Sequence, residues 1–198
     1  MQYLFVSHWI KSSENTIGGI KKFWRHKDLP HYTQTVKPHA ETHLIEAAIE
    51  GNLAFLEVYT KFKGDLTIQD QQGKSALIHA ILNNRKSFVK MICEFSSLFQ
   101  EEPKTFANLI ELTDRHGNTP LFTAIKVNSV DCLKLLVSYK VNFFHRKRNG
   151  NTCLHECAVH NSVDCLIVLA SYCGQELFSI INKEGDRPID IAHRSKHM

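Results

Sequence analysis

The chain has 198 residues, of which 43% are hydrophobic, and a formal net charge of +4. This length supports one elongated domain with a continuous apolar core, and so small a charge does not by itself indicate nucleic-acid binding. The longest apolar run, around residues 166–170, is far shorter than the roughly 18 residues that a membrane-spanning helix needs. The first seven residues lack the basic start of a secretory signal, so export by that route is not expected.

Residues 1–39 form a basic and aromatic N-terminal segment. It contains six lysines and arginines and two acidic residues, so its net charge equals that of the whole chain. The aromatic residues Trp9, Phe23 and Trp24 lie among these charges. We expect the aromatic side chains to cover the apolar face of the first structural unit that follows, because a terminal unit needs such a cap. The alternative is a weak contact between this segment and a membrane or an acidic surface.

From residue 40 onward the sequence repeats. Each unit has a bulky aliphatic residue followed three positions later by a small one, which places both on one helical face. These pairs are Leu44 and Ala47, Leu77 and Ala80, Leu121 and Ala124, Leu154 and Cys157, and Ile189 and Ala192. Further apolar residues lie twelve and fifteen positions after the first member and predict a second helix in each unit. They are Leu56 and Tyr59, Val89 and Ile92, Leu133 and Leu136, and Leu166 and Leu169.

The residue between the two helices is always Gly or Asn, seven positions after the aliphatic residue. Gly51, Asn84, Asn128 and Asn161 occupy this position. Both residue types tolerate the left-handed backbone that ends a helix. The hexapeptide at 128–133 returns unchanged at 161–166, an offset of 33 residues, and its second residue, Ser129 or Ser162, is a predicted N-cap of the second helix.

A glycine turn precedes each unit from the second onward, at 70–73, 114–117, 147–150 and 182–185. The order of turn, helix, Asn or Gly, and helix resembles the ankyrin repeat, and Asp114–Leu121 matches that family's pattern Asp-x-x-Gly-x-Thr-Pro-Leu without a mismatch. The resemblance implies an all-α solenoid of stacked helix-turn-helix units with short β-turn fingers.

We place the ankyrin-repeat domain at residues 40–198. Its repeats are expected at about 40–69, 70–113, 114–146 and 147–181, with a partial repeat at 182–198. Gly73 and Gly117 are 44 residues apart, so an insertion lies near 94–110, where the second helix is extended or an extra turn forms.

The histidine that commonly follows the repeat leucine in this family is present here only as His155. The equivalent positions hold Ile45, Ile78, Phe122 and Asp190, so looser turns are expected before those repeats.

Cys153, His155, Cys157 and His160 have spacings that resemble those of zinc ligands. The repeat pattern explains them without a metal, because Cys153 stands at the proline position, His155 at the histidine position and Cys157 at the small-residue position. We therefore expect no metal and no cofactor. No catalytic motif is recognisable either, and the chain is not expected to be an enzyme.

A narrower resemblance links Leu154–Cys157 and Pro188–Ala192 to the repeats attached to Arf GTPase-activating proteins. No four-cysteine zinc finger precedes the repeats in this sequence, so that activity is not assigned. A fragment of such an enzyme, or of another larger regulator, remains the alternative interpretation.

The ankyrin resemblance implies a partner surface made of the turn tips and the exposed end of each first helix. The corresponding residues on the tips are Gln71, Gln72, Lys74, Arg115, His116, Asn118, Arg148, Asn149 and Asn151, and those predicted on the helices are Leu82, Asn83, Lys126, Val159 and His160. Ile49, Glu50 and Val127 fall at the same helical positions. Such a surface suits a protein or an extended peptide with some acidic character. The basic run at 145–148 is either a solvated tip or a contact for an acidic partner or an import receptor.

The expected function is a non-catalytic scaffold or adaptor that binds a signalling or regulatory protein, without specific nucleic-acid binding. An inhibitor of a transcription factor and an effector directed at a host cell are further alternatives. Cysteines at repeated core positions, such as Cys132 and Cys165, indicate a reducing compartment. We therefore expect a cytoplasmic location, with the nucleus as an additional one.

Overall fold

The computed structural model describes residues 37–61, 64–98, 109–139 and 141–195. Chain contacts group Glu41–Met198 into one compact unit and Met1–Ala40 into another. The cap expected at 1–39 lies almost entirely outside the described residues, as do residues 99–108 of the insertion expected near 94–110. Within the described ranges, no helix is long and apolar enough to cross a membrane.

The helices of the larger unit follow one another as short antiparallel pairs. In chain order they are α1 (Lys37–Glu50), α2 (Leu53–Lys61), α3 (Ala76–Leu82), α4 (Lys86–Leu98), α5 (Pro120–Lys126), α6 (Val130–Ser138), α7 (Cys153–His160), α8 (Val163–Ala170), α9 (Glu176–Ser179) and α10 (Pro188–Arg194). Helix α4 has 13 residues whereas α6 has 9, so the second helix of this repeat is longer and runs as far as Leu98.

The pairs stack into two layers. The inner helices α3, α5, α7 and α10 pack against one another in that order, and the outer helices α2, α4, α6 and α8 do the same. A single core cluster runs between the layers and contains Leu44, Leu77, Leu121 and Leu154 together with Ala80, Ala124 and Cys157. The predicted columns therefore form the interface between successive repeats, as a repeat solenoid requires.

The first helix of each of the first four repeats, α1, α3, α5 or α7, is followed within two residues by a residue with a left-handed backbone. The φ angles are 79° at Gly51, 54° at Asn84, 49° at Asn128 and 51° at Asn161. These four are the positions that the sequence pattern assigned to the helix-ending residue, and the prediction is confirmed. The chain reverses there and enters the outer helix within two or three residues.

The predicted capping role of the two repeated serines is wrong. Ser129 and Ser162 do occupy the N-cap positions of α6 and α8, but neither side chain accepts a hydrogen bond from its own helix. The Ser162 hydroxyl donates to the carbonyl oxygen of Ile125 at 2.7 Å, and the Ser129 hydroxyl lies 3.2 Å from Oδ1 of Asn84. Both serines therefore join their own repeat to the preceding one.

Candidate protein-binding surface

The glycine turns, which we call fingers one to four in chain order, project from the N-terminal ends of the inner helices. In finger one, Oδ1 of Asp70 accepts the backbone N–H groups of Gln72 and Lys74, each at 2.8 Å. Asp114 in finger two and Asn182 in finger four hold their turns in the same way. Each tip is thus fixed by a side chain within its own turn.

Finger three departs from this arrangement because Lys147 stands where the other fingers have Asp or Asn. Its turn is held instead by Asn149, whose Oδ1 accepts the backbone N–H of Asn151 at 3.1 Å. The backbone bonds of the turn are unchanged, since the N–H of Gly150 still donates to the Lys147 carbonyl at 2.9 Å.

The carboxylate of Asp70 has a further hydrogen-bond partner on α3, the inner helix of its repeat. Its Oδ2 lies 2.9 Å from Nε2 of His79. Partial burial raises the pKa of Asp70, but hydrogen bonds from the Lys74 N–H, the His79 ring and the Gln72 N–H outweigh burial, so that the pKa is lowered overall. The carboxylate is therefore ionised at neutral pH and ties the finger to α3.

The fingers are joined in pairs. The N–H of Arg115 donates to the carbonyl of Gln72 at 2.9 Å, and the N–H of Lys183 donates to the carbonyl of Asn149 at 3.0 Å. Among the described residues, no backbone bond of this kind connects fingers two and three. A Cβ atom built on Gly117, in finger two, would accordingly meet no atom within 4 Å.

His155 closes the turn before α7. The His155 ring is buried. The N–H of Thr152 donates to Nδ1 of this ring at 3.1 Å, and Nε2 of the ring lies 3.0 Å from the carbonyl oxygen of Asp186. Because that carbonyl only accepts, Nε2 carries the proton. Burial lowers the pKa of His155, so the ring is neutral at physiological pH.

In repeats without this histidine, other hydrogen bonds stabilise the start of the inner helix. The hydroxyl of Ser75 accepts the N–H of Ile78 at 3.3 Å, and that of Thr119 accepts the N–H of Phe122 at 3.3 Å. In the last repeat, Oδ2 of Asp190 accepts the N–H of Arg187 at 2.9 Å. Three of the four helix starts that were expected to be looser, those of α3, α5 and α10, therefore carry capping bonds of their own.

Most of the basic run at 145–148 is occupied by structural contacts. The His145 ring packs on Phe122 with 5.6 Å between ring centroids. Arg146 donates to the carbonyls of Gly150 and Ile181. Lys147 donates to the buried carboxylate of Glu156 at 3.0 Å. Arg148 is exposed at the tip of finger three and is the residue of this run best placed for a partner.

Asn151 does not belong to the exposed surface, and its predicted role there is wrong. Its side chain is only 3% exposed. The amide nitrogen donates to Oε1 of Glu156 at 2.9 Å, and the amide oxygen accepts from Asn182 at 3.0 Å. Asn151 therefore fastens finger three to α7 and to finger four.

The remaining predicted residues reach the surface to different degrees. Lys74, Leu82 and Asn118 are half-buried, and Asn118 also donates to Asp114 at 2.8 Å. The exposed set consists of Gln71, Gln72, Asn83, Arg115, His116, Lys126, Arg148, Asn149, Val159 and His160. Ile49, which shares the helical position of Val159, is exposed as well, and so is Val127, which lies one position further along. The ends of α1, α5 and α7 thus each present an exposed aliphatic side chain.

The zinc-like cluster is not assembled. Cys153 and Cys157 are buried in the core, and the described residues contain no group of three or more His, Cys, Asp or Glu side chains able to hold a metal ion. Burial raises the pKa of Cys165 to about 11 and that of Cys93 to about 12, so these thiols are protonated and unreactive at neutral pH.

Helical hairpins stacked in two layers, with hydrogen-bonded fingers at one edge, define a repeat solenoid. A family model described as ankyrin repeats in three copies matches residues 44–144 and 97–181, which together span well over half of the chain. The chain therefore belongs to the ankyrin-repeat family, whose repeats generally mediate protein–protein interaction and are typically non-catalytic. No curated protein matches it. The narrower resemblance to repeats of Arf GTPase-activating proteins is not confirmed.

Proposed function

We propose that the repeat unit is a non-catalytic scaffold or adaptor that binds a signalling or regulatory protein. The observation that carries this proposal is an exposed aliphatic side chain at the C-terminal end of three helices, namely Ile49 on α1, Val127 directly after α5 and Val159 on α7. These exposed side chains are not part of the core. A row of them beside polar finger tips is typical of a protein-binding surface.

The charge of this surface favours an acidic partner. Arg115, Arg148 and Lys126 are exposed, whereas the carboxylate of Asp114 is buried and that of Asp70 is half-buried in its own finger. The finger edge therefore presents more positive than negative charge to a partner. An acidic segment with a few aliphatic side chains would be complementary to it.

The surface is also ordered before a partner arrives. The side chains of Asp70, Asp114 and Asn182 hold the finger backbones, and backbone bonds join the fingers in pairs. Binding therefore needs little further ordering of the finger backbone, which lowers the entropic cost of association.

The test begins with affinity purification of the chain and identification of a partner, followed by a measured dissociation constant for the purified pair. Replacing Arg115, Arg148 and Val127 together with alanine should weaken binding at least about tenfold, which corresponds to roughly 1.4 kcal/mol. Lys90→Ala combined with Lys134→Ala is the matched control, because both lysines are exposed on outer helices.

If a partner binds the triple variant and the control equally well, the proposed binding surface is wrong. Binding should also weaken as salt is raised, since exposed charge pairs are screened. An affinity that does not depend on salt would contradict the proposed acidic character of the partner.

We propose a cytoplasmic location, with the nucleus as an additional one, because Cys93, Cys132, Cys153, Cys157 and Cys165 are all buried thiols. Cell fractionation with alkylation of free thiols tests it. Recovery of the chain mainly outside the cytoplasm and nucleus would contradict it.

A further inference from the structure

Two cysteines of the fourth repeat lie side by side. Cys153 is the first residue of α7, and Cys173 follows the last residue of α8 by three positions. Because α7 and α8 pack as an antiparallel pair, the start of α7 lies beside the end of α8. The thiols of Cys153 and Cys173 are hydrogen-bond partners of each other. The fold therefore brings together two sulfur atoms that are 20 positions apart in the sequence.

The two thiols differ in their access to solvent. Cys153 is fully buried, whereas Cys173 is half-buried and packs at the edge of the core cluster that contains Cys153. The other four cysteines of the chain are buried as well, and all six lie among the described residues. A small oxidant dissolved in water therefore reaches the sulfur of Cys173 first.

The hydrogen bond between the thiols favours the thiolate form of Cys173. The bond from Cys153 lowers the pKa of Cys173, although partial burial acts in the opposite direction. The same hydrogen bond, together with burial, raises the pKa of Cys153. Because the thiolate is the nucleophilic form of cysteine, Cys173 is the residue of the pair that reacts with an oxidant.

The hydrogen of the Cys153 thiol has a second acceptor nearby. The Cys153 sulfur lies 3.6 Å from the carbonyl oxygen of Phe143, to which its S–H donates. A thiol has one hydrogen, so the S–H turns from this carbonyl toward the Cys173 sulfur when Cys173 loses its proton. Rotation of one S–H group is thus enough to stabilise the Cys173 thiolate.

The repeat pattern does not account for this pair of thiols. The positions 33 residues earlier hold Pro120 and Lys140. In contrast, Cys165 repeats Cys132 at that offset, and both are buried in the core. A half-buried thiol beside a buried one is therefore specific to the fourth repeat and is not a general consequence of stacking.

We propose that Cys153 and Cys173 are a redox-modification site, at which hydrogen peroxide converts the two thiols into a reversible disulfide. In the first step, the thiolate sulfur of Cys173 attacks one peroxide oxygen. An S–O bond forms, the O–O bond breaks, and the hydroxide that leaves takes up the proton released by Cys173 and becomes water.

In the second step, the Cys153 sulfur attacks the sulfur of the sulfenic acid at Cys173. The S–S bond forms, the S–O bond breaks, and the hydroxide leaves with the thiol proton of Cys153 as a second water molecule. Two electrons and two protons thus pass from two thiols to one peroxide molecule. A disulfide of this transient kind is compatible with a reducing compartment, because cellular thiols reduce it again.

The test treats the reduced full chain with hydrogen peroxide at neutral pH and counts free thiols after denaturation. The count should fall from six to four, because one disulfide consumes two of the six thiols. Dithiothreitol should restore the count to six. Alkylation of the remaining thiols, non-reducing digestion and mass spectrometry should then identify one crosslink, between Cys153 and Cys173.

Three variants assign the steps to residues. Cys173→Ser should form no disulfide. Cys153→Ser should stop at the sulfenic acid of Cys173, which dimedone traps, and should give at least about fivefold more adduct than the wild type because the second thiol is missing. Cys157→Ser is the matched control, since Cys157 is a buried thiol on the same helix, and it should form the same disulfide as the wild type. Circular dichroism of the reduced proteins establishes that they are folded, and the crosslink in the wild type needs no variant.

A crosslink between Cys173 and Cys157, a disulfide between two copies of the chain, or Cys173 oxidised to sulfinic acid without a crosslink overturns the proposal. An unchanged count of six thiols after prolonged treatment with about 1 mM peroxide does the same. None of these results bears on the proposed protein-binding surface, because the experiment measures no binding.

Discussion

The side-chain amide of Asn182 donates to the side-chain oxygen of Asn151 at 3.0 Å, across 31 residues of sequence. Asn151 in turn donates to the buried carboxylate of Glu156, which also accepts from Lys147. Fingers three and four and the start of α7 are thereby linked through one polar network. Within the described residues, no buried side-chain nitrogen or oxygen atom lacks a hydrogen-bond partner, so this network is fully satisfied.

Asn151→Ala should destabilise the protein by about 2–3 kcal/mol. The substitution leaves the Asn182 amide and one oxygen of Glu156 buried without their partner, and unsatisfied buried groups cost more than an average hydrogen bond contributes. Urea unfolding followed by circular dichroism measures the change. Gln71→Ala, at the exposed tip of finger one, is the control and should shift stability by less than about 0.5 kcal/mol. Equal stability of both variants would contradict the proposed importance of the network.

Asp70→Asn should reduce the free energy of unfolding at pH 7 and have progressively less effect as the pH falls. The pKa of Asp70 is lowered in the folded state from its ordinary value of 3.8. A carboxylate with a lowered pKa stabilises the fold above the unfolded pKa, and this contribution is lost as pH falls through the folded pKa. Asparagine keeps an oxygen for the N–H groups of Gln72 and Lys74, so the variant removes mainly the charge.

Urea unfolding of the wild type and of Asp70→Asn at pH 7, 5 and 3 checks this expectation. The difference between the two proteins should be similar at pH 7 and 5 and smaller at pH 3. A difference that stays constant down to pH 3 would show that the charge of Asp70 does not contribute.

The buried His155 should make the protein less stable below about pH 6.5. Its pKa is lowered by burial from the ordinary value of 6.5, so the unfolded chain takes up a proton before the folded one does. Its contribution to stability is complete above pH 6.5 and is lost as the pH falls toward the lower folded value. His155→Gln should therefore flatten the pH dependence of the melting temperature between about pH 7 and 5. An unchanged slope in that variant would assign the pH dependence to other groups.

Much of the fold was predictable because its determinants are local and recur. Asn84, Asn128 and Asn161 each end a helix for the same stereochemical reason, and the aliphatic columns mark the face that each helix buries. The roles of Ser129 and Ser162 were not predictable in this way. Both their residue type and their position suit an N-cap, but their hydroxyls bond to the preceding repeat. The distance between neighbouring repeats depends on how they pack, which the local sequence does not show.

The candidate site was less predictable than the fold. Asn151 was placed on the surface because it follows a finger tip, but Glu156 and Asn182 hold it inside. The run at 145–148 looked like a patch of free charge, although Arg146 and Lys147 are bound within the chain. Residue type shows that a side chain is polar, whereas only the packed structure shows which partner satisfies it.

Gly150→Ala should destabilise the protein more than Gly117→Ala, although both glycines have a positive φ, 83° and 77° respectively. The backbone strain is common to both substitutions and costs about 1 kcal/mol. A Cβ on Gly150 would also lie 2.8 Å from the backbone nitrogen of Lys183, whereas a Cβ on Gly117 would meet nothing within 4 Å. Paired thermal melts measure the difference, and we expect Gly150→Ala to lose at least about 1 kcal/mol more, since finger four must shift to accommodate the methyl group. Equal losses would mean that the bond between fingers three and four is looser than the 3.0 Å separation of Lys183 N from the Asn149 carbonyl oxygen indicates.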